Sequence, residues 1–176
     1  MRKINTILSV LLLVIFMLHG LMGSFMLLGI GSSAGKILAW VGVAVLAAHT
    51  VIGVILTINT LKISKNAGNS YLKQNAVFWA RRASGLAILI LMFFHIGGVQ
   101  DGIYILFPFT TVKLITQLLL VAALFIHLFI NIRPLLVSLG IISYKERRGD
   151  IYLILSVLLL FSAGAVIIYY IGWHTL

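Results

Sequence analysis

Leu86-Ala87-Ile88-Leu89-Ile90-Leu91 lies in the middle of an apolar segment, Phe78–Val99, and decides between the two backbones that a membrane admits. A lipid-facing strand alternates polar and apolar side chains with period two, and this run shows no alternation. A helix closes its backbone hydrogen bonds internally and accepts apolar side chains all round. Four more segments read the same way: Ile4–Ile30, Ile37–Leu61, Val112–Leu139 and Ile151–Trp173. Each reaches or approaches the roughly 20 residues that cross about 30 Å of hydrocarbon at 1.5 Å per residue. The expected fold is therefore an all-α, five-helix transmembrane bundle, with 1–176 a single membrane domain. The short connections leave no room for an extramembrane domain, so a soluble catalytic module would belong to another chain.

Composition agrees. Of the 176 residues 62% are hydrophobic and only 9% charged, too few to wrap a water-soluble globule. The excess of 13 Lys+Arg over 3 Asp+Glu resembles a nucleic-acid binder until the charges are placed along the chain. Arg2 and Lys3 precede the first span; Lys62, Lys65, Lys73, Arg81 and Arg82 fall between the second and third; Arg133, Lys145, Arg147 and Arg148 follow the fourth. Lys36 and Lys113 lie on the opposite side. This asymmetry predicts a multi-pass protein of the cell membrane with its N-terminus inside and its C-terminus outside, and no role for nucleic acid. Trp40, Trp79 and Trp173 lie at span ends and are expected to anchor the interfaces. Met1-Arg2-Lys3 followed by apolar residues starts like a signal peptide, but the run is longer than a signal core, and the segment is expected to remain as a mature helix. With no cysteine, the chain offers no disulfide, no Cys-ligated iron–sulfur cluster and no thioether haem.

Histidine inside a membrane is costly and marks function by default. His19, His49, His95 and His127 fall one in each of the first four spans, and His174 lies at the outer end of the fifth. A single buried histidine is more often a packing residue; four on successive helices point to the axial ligation of haem iron, for which neutral imidazole is the usual donor. Folding the first hairpin about Ser32 puts His19 about 13 and His49 about 17 residues below the outer turn, a depth difference of roughly 6 Å. Folding the second about Leu106 puts His127 roughly 15 Å deeper than His95. These depths pair His19 with His95 on an outer haem iron and His49 with His127 on an inner one, for two b-type haems in all. Small residues adjoin each ligand and would admit a macrocycle to the backbone: Gly23, Gly53, Ala123 and Gly97-Gly98. Arg82 and Arg133 are placed on the cytoplasmic side for the anionic propionates, with Arg81 able to substitute. Ordinary helix packing and snorkelling to lipid phosphates account for the same small and basic residues without a cofactor.

Trp79-Ala80-Arg81-Arg82-Ala83-Ser84-Gly85, followed by an apolar run to His95, resembles the Arg-x-Ser/Thr-Gly…His helix of the cytochrome b membrane-anchor subunits of succinate dehydrogenases and fumarate reductases. His127…Asn131…Arg133 is similar to that family's fourth span. The resemblance, to the type in which one polypeptide binds both haems, covers nearly the whole chain, with motif-like residues confined to the third and fourth helices. It implies electron transfer between a membrane quinone, menaquinone in such relatives, and a cytoplasmic iron–sulfur subunit fed by a flavoprotein, with no succinate site in this chain. It implies quinone chemistry near the outer haem, where such relatives often carry an acid in the first outer loop. Gly29-Ile30-Gly31-Ser32-Ser33-Ala34-Gly35-Lys36 has none, which leaves Asp101 either to exchange quinone protons or to stand as a solvated loop carboxylate. Two other readings stand beside this one: a dihaem carrier serving another redox partner, since a haem scaffold does not encode its partner's substrate, and a haem-free small transporter or proton relay.

Overall fold

The computed structural model describes residues 1–30, 35–68, 75–96, 98–100, 103–105, 110–145 and 149–175. It is an all-α arrangement of five helices, each long and apolar enough to cross a membrane. They are α1 (Arg2–Leu27), α2 (Gly35–Asn66), α3 (Ala76–His95), α4 (Thr111–Ser138) and α5 (Gly149–Thr175). A short antiparallel ribbon, β1 (Gly98–Gln100) and β2 (Ile103–Ile105), lies between α3 and α4 and pairs Gly98 with Ile105.

The helix ends follow local chemistry. The Asn75 side chain accepts a hydrogen bond from the Phe78 amide at the start of α3, and the Thr110 hydroxyl accepts from the Lys113 amide at the start of α4. At the ends of α1 and α4 a glycine takes positive φ, Gly29 at 79° and Gly140 at 72°, and the next amide folds back five residues: Ile30 N to Phe25 O, Ile141 N to Leu136 O. The third span is shorter than its hydropathy suggests. Apolar character continues to Val99, but α3 stops at His95 and Ile96 is already extended, with ψ of 130°. Gly97-Gly98 disfavours further helix, and the β-branched Val99, Ile103 and Ile105 suit the ribbon. At about 30 Å, α3 is as long as the hydrocarbon is thick, and His95 is its last residue.

The two hairpins lie side by side and α5 packs behind them. α1 packs on α2 and α5, α4 on α3 and α5, and α1 touches α4. Among the described residues no Cα of α2 comes within 8 Å of one in α3, α4 or α5. Ile88, Leu120 and Ala123 form a buried cluster between α3 and α4. Ser24, buried in α1, bonds Ser162 of α5 at 3.1 Å, and Phe25 packs on Phe161 with ring centres 5.4 Å apart.

Register between the antiparallel helices can be read from individual contacts. In the first hairpin Gly42 faces Ile15 so closely that a Cβ there would sit 3.1 Å from Ile15 Cγ2. His19 is therefore level with residue 38 of α2, eleven residues from His49, or roughly 16 Å along the axis. This corrects the 6 Å expected from folding about Ser32, a residue outside the described ones. In the second hairpin His95 bonds Gln117 and Ser84 bonds His127. Ten residues of α4 separate Gln117 from His127, roughly 15 Å, as expected from folding about Leu106. Both hairpins thus carry their histidines on the same two levels.

Candidate functional site

At the level of the α3 C-terminus the rings of His19 and His95 lie 5.9 Å apart, centre to centre, with planes at 83°. Two imidazoles bound on opposite sides of one metal ion, each through a bond of about 2.0–2.1 Å, leave their ring centres roughly 6 Å apart, so the spacing fits a shared iron. His95 Nδ1 is 2.6 Å from Gln117 Oε1. Gln117 is buried, and its Nε2 donates to Phe94 O at 3.2 Å. Lys113 Nζ also donates to Phe94 O and reaches His95 O at 3.5 Å, so two α4 side chains satisfy carbonyls left open at the end of α3.

The second level, roughly 15 Å further along the helices, carries His49 and His127. His127 Nδ1 is 3.0 Å from the hydroxyl of buried Ser84, and its ring packs over Gly85, where a Cβ would stand 3.5 Å from Cε1. Asn131 Nδ2 donates to His127 O at 2.7 Å, tying the side chain to its own helix. His49 Nδ1 is buried with no hydrogen-bond partner among the described residues. The small residues divide into two kinds. A Cβ added at Gly23 or Gly53, each four residues after a histidine, would meet nothing within 4 Å. Ala123 is instead buried in the α3–α4 cluster, where it packs and opens no space beside His127. Gly97 lies outside the described residues.

The three arginines have different employments. Arg82 Nε donates to Thr57 Oγ1 at 3.2 Å, the side-chain link between α3 and α2, and its guanidinium lies 3.6 Å from the Phe78 ring centre. Arg81 donates to Ile130 O at 3.4 Å. That carbonyl would ordinarily accept the amide of residue 134, and Pro134 has none, so Arg81 repairs the gap that proline opens within α4. Arg133 donates to Tyr144 O at 2.5 Å and holds the segment that follows α4. Asp101 lies outside the described residues, as do Arg147 and Arg148. Trp40 is exposed, while Trp79 is half-buried with its indole nitrogen unpartnered among the described residues. His174 bonds Tyr170 O one turn back, apart from the four histidines.

Sequence reasoning missed Gln117, and quoted Ser84 only as a motif residue, with no partner assigned to it. Both are uncharged residues in apolar helices, and the signal that could have found them is position: a buried amide or hydroxyl within a span needs a partner, and the unpaired groups available are the imidazoles. Among the described residues no three His, Cys, Asp or Glu side chains gather into a metal cluster; His19 and His95 form a ring pair. No family model, no curated protein and no solved structure matches this chain.

Proposed function

We propose that this protein is a dihaem b-type electron carrier of the membrane, with His19 and His95 holding an outer haem iron and His49 and His127 an inner one. The observation that carries the reading is the His19–His95 ring separation of 5.9 Å between helices of different hairpins. Paired imidazoles, with no third side-chain donor among the described residues, suit an ion whose other positions are filled by a macrocycle. The unpartnered Nδ1 of His49 and the open space at Gly23 and Gly53 agree with a group seated beside the ligands. Bound there, haem would supply reversible one-electron chemistry at two levels of the membrane.

The chain's own residues would bind, orient and insulate. Gln117 and Ser84 hold two of the imidazoles. Arg82, at the cytoplasmic end of α3 in the positive-inside orientation, offers a cation to a propionate without leaving Thr57. All three arginines already hold protein partners, Arg81 on Ile130 O, Arg133 on Tyr144 O and Arg82 on Thr57 and Phe78 O, and Arg82 is favoured by the resemblance. The resemblance carried by Arg82, Ser84, Gly85 and His95, together with His127 and Asn131, favours a cytoplasmic flavoprotein and iron–sulfur module that interconverts succinate and fumarate as the partner, with membrane quinone, menaquinone by the same resemblance, on the other side.

A dithionite-reduced minus oxidised visible spectrum, with haem and protein quantified in one sample, tests the proposal. Two low-spin b-type haems per chain are expected. A folded protein purified from haem-replete cells without colour would overturn it and leave the transporter or proton-relay reading in front.

A further inference from the structure

The hydrogen bonds around Gln117 allow only one placement of protons. Phe94 O can only accept, so the end of the Gln117 amide that faces it at 3.2 Å is the NH2, and the end that faces His95 Nδ1 at 2.6 Å is the carbonyl oxygen. A carbonyl oxygen cannot donate, so His95 carries a proton on Nδ1, which in the neutral ring leaves the lone pair on Nε2. Lys113 shares Phe94 O and clamps the same end of α3. Gln117 is therefore held at both ends of its amide and is itself buried.

The other ligands are served differently. The Ser84 hydroxyl has one proton and lies 2.7 Å from Ala80 O, which can only accept; its lone pair is left for His127 Nδ1–H at a looser 3.0 Å. His49 Nδ1 has no partner among the described residues. A short hydrogen bond from Nδ1–H to a carbonyl oxygen makes Nε2 more basic and a better donor to an oxidised metal. We infer that Gln117 is a positioning residue for the outer site: its amide fixes the tautomer of His95 and strengthens that ligand, making the outer site electronically distinct from the inner one. The inference rests on the dihaem reading for its electronic consequence, but the tautomer follows from the hydrogen bonds alone.

The test measures the midpoint potentials of both haems in the wild type, in Gln117→Leu and in Gln117→Glu, which keeps an oxygen acceptor at similar volume. A His19→Ala variant identifies which potential belongs to the outer site. Removing the acceptor should raise the outer potential in Gln117→Leu and leave the inner one where it was; Gln117→Glu should hold the outer potential at or below the wild-type value. An outer potential unchanged in Gln117→Leu, or an equal movement of both, overturns the inference. If the isolated protein carries no haem, nitrogen-15 spectra of its histidines report the same hydrogen bond, with His95 assigned through His95→Ala. An Nδ1–H tautomer of His95 that is lost in Gln117→Leu supports the role of Gln117 while the dihaem reading fails; an Nε2–H tautomer in the wild type overturns both the role and its cause.

Discussion

His19 and His95 come from different hairpins, yet their rings meet at 5.9 Å with planes at 83°. Each hairpin carries one histidine at each level, so under the dihaem proposal neither hairpin alone completes a site. Substituting His19→Ala or His95→Ala should remove one haem and leave the other, and His49→Ala or His127→Ala should remove the complementary one. Haem-to-protein ratios and the potential of the surviving haem check this; two intact haems in any of the four variants would refute the pairing.

Glycines beside the helices should separate packing from cofactor space. A Cβ at Gly42 would stand 3.1 Å from Ile15 Cγ2, so Gly42→Leu forces α1 and α2 apart at a cost of about 1–3 kcal/mol, read as loss of stability in a detergent unfolding titration. Gly53 faces nothing within 4 Å, so Gly53→Leu should leave unfolding of the haem-free chain nearly unchanged while lowering occupancy of the inner haem. Full inner occupancy in Gly53→Leu would mean that the open space serves something else.

The Arg81 bond to Ile130 O matters because Pro134 withholds its amide. Arg81→Ala should cost about 1 kcal/mol in the wild-type chain, and clearly less in a Pro134→Ala background, where the helix can supply its own donor. A double-mutant cycle of the four proteins measures the coupling; equal costs in both backgrounds would show that Arg81 stabilises by another route.

Ser84 leaves His127 without an acceptor when it is removed. Ser84→Ala should destabilise the haem-free protein by about 1–3 kcal/mol, the usual cost of orphaning a buried polar group, and Ser84→Thr should recover most of it. Unfolding midpoints of the three proteins in the same detergent decide the matter, and an unperturbed Ser84→Ala would place the imidazole elsewhere.

Arg82 and Arg133 should part company. Arg82→Ala removes the side-chain bond to Thr57 and a cation at the inner rim, so weaker retention of the inner haem on dilution is expected. Arg133→Ala frees the backbone at Tyr144 and should loosen the segment after α4, seen as faster proteolysis there, with haem retention unchanged. Equal haem loss in both variants would return Arg133 to the site.

Five spans, their helical nature and one histidine on each of the first four were legible in the residues, because hydropathy and helical rise are local properties that need no knowledge of neighbours. The 15 Å offset in the second hairpin was legible too, since folding about Leu106 gives the same level for His95 and residue 117 that the His95–Gln117 hydrogen bond shows. The first hairpin was not: its histidines stand roughly 16 Å apart in depth because Ile15 packs into the notch at Gly42, and side-chain interlock, more than loop length, sets the register of antiparallel helices. The end of α3 at His95 turned on two glycines that hydropathy counts as neutral. The employment of Arg81 on the carbonyl freed by Pro134, of Arg133 on Tyr144, and of Gln117 on His95 depends on which polar groups burial leaves unpaired. Sequence alone determined that this chain crosses the membrane five times with imidazoles inside; only tertiary structure decided which imidazoles face one another and what holds them, because hydrogen-bond satisfaction across helices is a property of the assembled bundle.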